Sequence, residues 1–230
     1  MTHYNIEMLR AAVVNLGELA EELVFVGGAT TGLFITDEGT ADIRTTKDVD
    51  AIVEAASYAQ YTIFSERLRK DAGFREDTSD GAPLCRWVKG DIVLDVMPLD
   101  EETLGFTNRW YRAAMEAAEG YEISPGLVIK VVSPPYFCAT KMEAFDGRGN
   151  GDYLASHDLE DIIAVIDGRE DLVNEIQQAP EDVRSFIAGK VREWLKTGRF
   201  LDALPGHLGG NERLELVRDR LQRIADFTEN

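Results

Sequence analysis

The sequence predicts an α+β protein, and three observations carry that expectation. Short apolar runs closed by glycine or proline recur through the first 132 residues. Amphipathic segments of helical period are interleaved with them. After Ser133 the strand-like runs stop, and helical period fills the chain to its end. The expected division is an α/β core over 1–132 and a helical domain over 133–230.

The elements follow in order. Ile6, Leu9, Val13, Leu16 and Leu19 recur at helical spacing and predict an amphipathic helix over 6–22. Leu23 to Val26 reads as a short buried strand ended by Gly27-Gly28, and Ala29 to Ile35 as a short helix. The polar stretch 37–46 reads as a loop. Asp48 to Val53 is a second strand, and Tyr58 to Asp71 a helix stopped near Gly73. Segments 85–88 and 91–96 form a hairpin around Lys89-Gly90. A helix is expected over 108–119, then strands 121–124 and 127–132 around Pro125-Gly126. Ser133-Pro134-Pro135 starts a helix well, because proline is tolerated in the first turn. Helices are expected over 135–146, 157–167, 170–178, 181–196 and 211–226.

Bulk composition narrows the function classes. The chain has 230 residues, enough for one large domain or two small ones. No apolar run approaches the ~20 residues that cross a bilayer. The start, Met1-Thr-His-Tyr-Asn, lacks the basic flank and apolar stretch of a secretion signal, so a cytoplasmic protein without membrane attachment is expected. Cys85 and Cys138 lack partners at metal spacing and read as buried thiols. His3, His157 and His207 are scattered, which argues against zinc. The formal net charge of −18 repels nucleic acid at long range. It leaves room for a local basic groove, for which Arg109, Arg112, Arg184 and Arg192 are candidates. Trp87, Trp110, Tyr111 and Trp194 read as core.

Chemistry concentrates at carboxylates. Residues two apart in a strand share a face, so Asp48 and Asp50 point the same way with Val49 opposite. Two adjacent carboxylates repel, and burial raises the cost. A divalent cation relieves both, and Mg²⁺ prefers oxygen ligands with positions left for substrate phosphates. Asp95 lies in the apolar run Ile92 to Met97, where a charge needs a partner or a metal. In a two-metal site it could also accept a proton from an attacking hydroxyl. Gly27 and Gly28 let backbone approach phosphate without an intervening Cβ. Singly, each feature has an ordinary reading: a solvated strand end for Asp48 and Asp50, a turn for the glycines. Their order gives the set its specificity.

These residues resemble the DNA polymerase β-like nucleotidyltransferase superfamily, most nearly the AbiEii-type nucleotidyltransferase toxins of bacterial toxin–antitoxin systems. The matching positions are Val26-Gly27-Gly28-Ala29 with Leu33, then Arg44, Thr46, Asp48, Asp50 and Asp95. They continue through Lys141, Ala144 and Arg148 to His157-Asp158-Leu159-Glu160-Asp161-Ile162. The resemblance implies a mixed sheet flanked by helices, completed by a C-terminal helical bundle. It implies an NTP as substrate, Mg²⁺ (with Mn²⁺ as its substitute) held by Asp48, Asp50 and Asp95, and release of pyrophosphate. It also implies a tRNA 3′ end as acceptor and a cognate antitoxin protein as partner.

Lys141 shares a helical stripe with Phe137, Phe145 and Arg148, so it is aimed at packed surroundings, and a buried ammonium needs an anion. A triphosphate would supply one, as the resemblance implies; pairing with a neighbouring carboxylate is the ordinary alternative. Asp158 and Asp161 open the next helix behind Ser156, where acids also serve the helix dipole. The resemblance places a site aspartate here. Asp158 is preferred as catalytic because it borders the stripe of Leu159, Ile162, Ile163 and Ile166, and Asp161 stands second among nucleotide-binding candidates. Arg44 and Thr46 are further phosphate-binding candidates beside Gly27, Gly28 and Lys141. Two other acceptors stay open: a small cationic molecule such as an aminoglycoside, which suits the acidic charge, and a protein hydroxyl. A catalytically lapsed module that binds nucleotide or a partner is the reading of a different class.

Overall fold

Leu23–Val26 is β1, buried throughout and too apolar for an edge, and it lies inside a seven-stranded mixed sheet. The other strands are β2 (Val49–Val53), β3 (Arg75–Glu76), β4 (Arg86–Lys89), β5 (Ile92–Pro98), β6 (Glu119–Ser124) and β7 (Leu127–Val131). Their order is β3-β4-β5-β2-β1-β7-β6. The pairs β2–β5 and β1–β7 are parallel, and the other neighbours are antiparallel. The fold is therefore α+β with a mixed sheet, as the alternation of strand-like and helical runs predicted. This computed structural model describes residues 4–55, 57–99, 101–105, 107–149 and 151–227. His3 lies outside the described residues.

The chain divides into two compact units. The first comprises Met1–Leu33 and Thr45–Ser133 and holds the sheet with α1 (Tyr4–Leu16), α3 (Tyr58–Lys70), α4 (Glu101–Leu104) and α5 (Tyr111–Glu116). The short α2 (Thr31–Phe34) runs one residue past the first of these segments, its last residue Phe34 being counted with the second unit. The second comprises Phe34–Arg44 and Pro134–Asn230. Its helices are α6 (Pro134–Arg148), α7 (His157–Gly168), α8 (Leu172–Gln178), α9 (Glu181–Leu195), α10 (Gly198–His207) and α11 (Leu214–Ala225). The buried aromatics Phe137, Trp194 and Phe200 lie in its core, with Trp194 stacked on Phe200 at 5.4 Å.

Several elements differ from expectation for local reasons. The helix expected over 6–22 is α1 followed by a 3₁₀ segment, Gly17–Glu22, because Gly17 adopts φ 58° and breaks the α ladder. The helix expected over 108–119 shrinks to α5, since Glu119 and Gly120 pair with Val131 and Lys130 as the start of β6. The sequence reading missed β3, α4 and α10. Helix α10 begins with glycine and contains Pro205, so its composition argues against a helix; burial of Phe200 and Leu204 overrides that. No described helix is long and apolar enough to cross a membrane. Cys85 and Cys138 are both buried free thiols.

Candidate functional site

Strand register assembles the carboxylates in the first unit. Asp50 is the register partner of Asp95 across the parallel β2–β5 pair, so both project from one sheet face. Asp48, two residues before Asp50, belongs to the same face. Arg86 is the antiparallel partner of Asp95 on β4 and shares that face too. Its guanidinium forks onto Asp95, with Nε donating to Oδ1 at 2.8 Å and Nη2 to Oδ2 at 2.7 Å. The same Nη2 donates to Asp48 Oδ2 at 2.7 Å.

The glycine turn is fitted to this face. Gly27 ends β1 at φ 73°, a left-handed conformation that glycine adopts without strain. A Cβ at that position would meet the Asp50 side chain, with Cγ only 2.7 Å away. Asn5, fully buried on α1, fixes the flanks. Its side-chain amide donates to Gly28 O at 3.3 Å, and its Oδ1 accepts from Thr46 N at 3.1 Å. Thr46 Oγ1 in turn donates to Asp48 Oδ1 at 3.0 Å. Below the face, the buried Cys85 thiol is pushed up to about 12 by desolvation, with the Asp95 and Asp50 charges adding to it.

Among the described residues, no three His, Cys, Asp or Glu side chains close around a common point as a metal cage would. Mg²⁺ does not require such a cage, because one or two carboxylates plus substrate phosphates satisfy it. Asp48, Asp50 and Asp95 present hard oxygen donors on one face, and with Arg86 they leave an excess of negative charge. In charge and donor type these residues fit a divalent cation.

The second unit gathers the remaining candidates. Lys141 is buried on α6 and donates to Asp158 Oδ1 at 3.0 Å; its Nζ also lies 2.8 Å from Asp161 Oδ2. Arg148 forks onto Asp158 at 2.9 Å through both contacts. Arg44 forks onto Asp161 at 2.8 and 2.7 Å. Three cations thus share two carboxylates. Burial alone would raise the Asp158 pKa, but the Arg148 hydrogen bonds and the Lys141 charge outweigh it and hold the group down at about 2. For Arg44, burial works against the charge, and the Asp161 carboxylate overcomes it and raises the pKa.

The expected stripe of α6 holds for Phe137, Lys141 and Phe145, which are buried, but the Arg148 side chain is 73% exposed. The anions beside Lys141 are Asp158 and Asp161, the carboxylate pairing weighed as the alternative to phosphate. Ser156 caps α7 by accepting from Leu159 N at 3.4 Å. Arg184 and Arg192 direct donors to backbone carbonyls at helix ends, Gln177 for the first, Ala225 and Phe227 for the second. Trp87, Trp110 and Trp194 are buried, as expected of core residues, whereas Tyr111 is half-buried.

No protein-family model matches the chain, and no curated protein matches it in sequence. Solved structures do resemble it. One is the solution structure of the antibiotic-resistance factor ANT(2'')-Ia, at 13% identity and TM-score 0.47, covering 85% of this chain and 95% of that one. Another is JHP933 from Helicobacter pylori, at 13% identity and TM-score 0.46, covering 97% of this chain and 90% of that one.

The sequence reading missed Arg86, and the signal for it was present. A hairpin turn placed on Lys89-Gly90 pairs Val88 with Asp91 and sets Arg86 opposite Val93. The observed turn is one residue later, with Gly90 at φ 58° and Lys89 paired with Ile92. That register sets Arg86 opposite Asp95.

Proposed function

We propose that the chain is a divalent-cation-dependent nucleotidyltransferase that moves an NMP from an NTP to an acceptor hydroxyl. The observation that carries this reading is the common face of Asp48, Asp50 and Asp95, closed on one side by the side-chain-free Gly27. Asp48 and Asp50 are assigned to Mg²⁺ or Mn²⁺, with Asp95 beside them. When bound, the cation neutralises triphosphate charge and the pyrophosphate leaving group. Asp95, fixed by the Arg86 fork, orients the attacking hydroxyl. The Gly27-Gly28 turn is assigned to phosphate through its backbone N–H groups, the space beside the Gly27 Cα being taken by the Asp50 carboxylate. In the second unit, the gathering of Arg44, Lys141 and Arg148 around Asp158 and Asp161 places cations that phosphate could engage, and Lys141 and Arg44 are assigned to it as the resemblance implies.

The family resemblance assigns a tRNA 3′ end as acceptor, a role as toxin, and an antitoxin as partner. A second acceptor class is favoured by a specific observation: the net charge of −18 suits a small cationic molecule such as an aminoglycoside. The deciding assay incubates the protein with Mg²⁺, each α-³²P-labelled NTP in turn, and total tRNA. The Asp48→Ala, Asp50→Ala variant is the control. Label on tRNA that disappears in the control supports the tRNA reading and names the nucleotide. Label on an aminoglycoside or a protein instead moves the acceptor. Absence of NTP binding sinks the enzyme reading and leaves a partner-binding module.

A further inference from the structure

Three carboxylates on one sheet face pose a folding problem before any substrate arrives. Asp50 and Asp95 are side-by-side register partners, and Asp48 is two residues away on the same face. Like charges so placed destabilise a sheet. The fold sets a cation from the neighbouring strand against Asp95 and Asp48. Arg86 gives Asp95 two donors and lends one of them to Asp48 as well, all at 2.7–2.8 Å. The fork geometry suits a carboxylate as a lysine ammonium cannot. Burial works against the charge, but the Asp95 hydrogen bonds dominate and keep Arg86 firmly protonated. The cluster is not sealed: the Arg86 and Asp48 side chains keep 24% and 29% exposure, whereas Asp95 keeps 9%.

The two legs of this bridge are unequal. Asp95 is held by two bonds in a buried setting. Asp48 is held by one bond from Arg86, at a nitrogen already engaged, and its other oxygen is bonded by Thr46. We infer that Arg86 is a positioning residue that acts as the resident counter-ion of the carboxylate face, and that an incoming divalent cation competes with it for Asp48 while Asp95 stays forked. This rests on the proposed cation site at Asp48 and Asp50, and it adds a cost of metal loading written into the fold.

The test is a Mn²⁺ titration of the whole chain without nucleotide, with free Mn²⁺ followed by electron paramagnetic resonance. Wild type is compared with Arg86→Met and Arg86→Lys. Removing one competing charge a few ångströms from a part-exposed site raises cation affinity by on the order of tenfold. Arg86→Met should therefore bind Mn²⁺ about tenfold more tightly, with Arg86→Lys between it and wild type, on the same scale. In EDTA, Arg86→Met should melt below wild type, and Mn²⁺ should narrow that gap. A merely structural arginine would lower the melting temperature without tightening Mn²⁺. Unchanged or weaker Mn²⁺ binding in Arg86→Lys overturns the inference even if Arg86→Met fails to fold. NTP turnover on the same wild-type preparation separates the two ideas. Turnover with no tightening sinks the counter-ion role alone; tightening with no turnover sinks the transferase reading alone. No Mn²⁺ binding by wild type or by either variant overturns the counter-ion inference, and the transferase reading is then judged by NTP turnover alone, since substrate phosphates complete the cation's ligands.

Discussion

The Asp50 carboxylate lies where a side chain on residue 27 would begin. Gly27→Ala would place a Cβ 2.7 Å from Asp50 Cγ and force a left-handed φ of 73° on alanine. The backbone alone costs about 1–2 kcal/mol, and the displaced carboxylate adds to it. We expect a loss of at least about 2 kcal/mol in urea denaturation, with Mn²⁺ binding weakened more than tenfold. A folded Gly27→Ala protein with native Mn²⁺ affinity would show that Asp50 does not need its present position.

Lys141 bridges Asp158 and Asp161, with its Nζ 3.0 Å from one carboxylate and 2.8 Å from the other. Lys141→Met leaves two buried carboxylates close together with only the outer arginines to hold them. The expected cost is about 3 kcal/mol, the lower end for breaking a buried pair, because Arg44 and Arg148 remain. Guanidinium denaturation of the variant measures it. A change below about 1 kcal/mol would mean that the outer arginines suffice.

The Asp158 carboxyl has a folded pKa of about 2, below its ordinary 3.8. Its ionised form therefore stabilises the fold. That contribution is complete above the unfolded value and is lost as pH falls through the folded one, so the window is about pH 4 to 2. Its size is about 2 kcal/mol at low salt, and added salt should reduce it through the exposed Arg148. Stability against pH for wild type and Asp158→Asn provides the measurement. The difference between the curves should be flat at neutral pH and shrink below pH 4. A constant difference would assign the stabilisation to packing.

Burial raises both thiols: Cys138 is pushed up to about 12 by desolvation, like Cys85. Neither should react with a disulfide reagent at pH 8 in the native protein, and both should react in 6 M guanidinium. Fast native labelling of Cys85 would reveal opening beneath the carboxylate face.

Alternation was enough to read the common face of Asp48 and Asp50, because a strand repeats every two residues whatever its neighbours. The pairing of Asp50 with Asp95 needed the knowledge that β2 lies beside β5, across an intervening helix and two strands, which no local pattern carries. Arg86 was hidden by a one-residue displacement of a turn. Lys141 was legible as buried from its stripe with Phe137 and Phe145. Its partners were ambiguous, since an ammonium is satisfied equally by phosphate or carboxylate. Helix α10 was illegible because Gly198 and Pro205 mask a segment stabilised by contacts made far away in sequence.

The second unit is discontinuous in the gene. Residues 34–44 are encoded between β1 and β2 yet belong with 134–230. Phe34 meets the Phe137 ring edge-on at 4.9 Å, and Arg44 closes on Asp161. A fragment expressed from residue 134 onward would lack both, exposing an aromatic surface and stripping a buried aspartate of its fork. During synthesis this unit must also wait: its first eleven residues leave the ribosome about ninety residues before the helices that receive them. Dissection of the activity is therefore better done by point substitution than by truncation, and a split reporter cut at residue 133 would report on misassembly rather than on two independent parts.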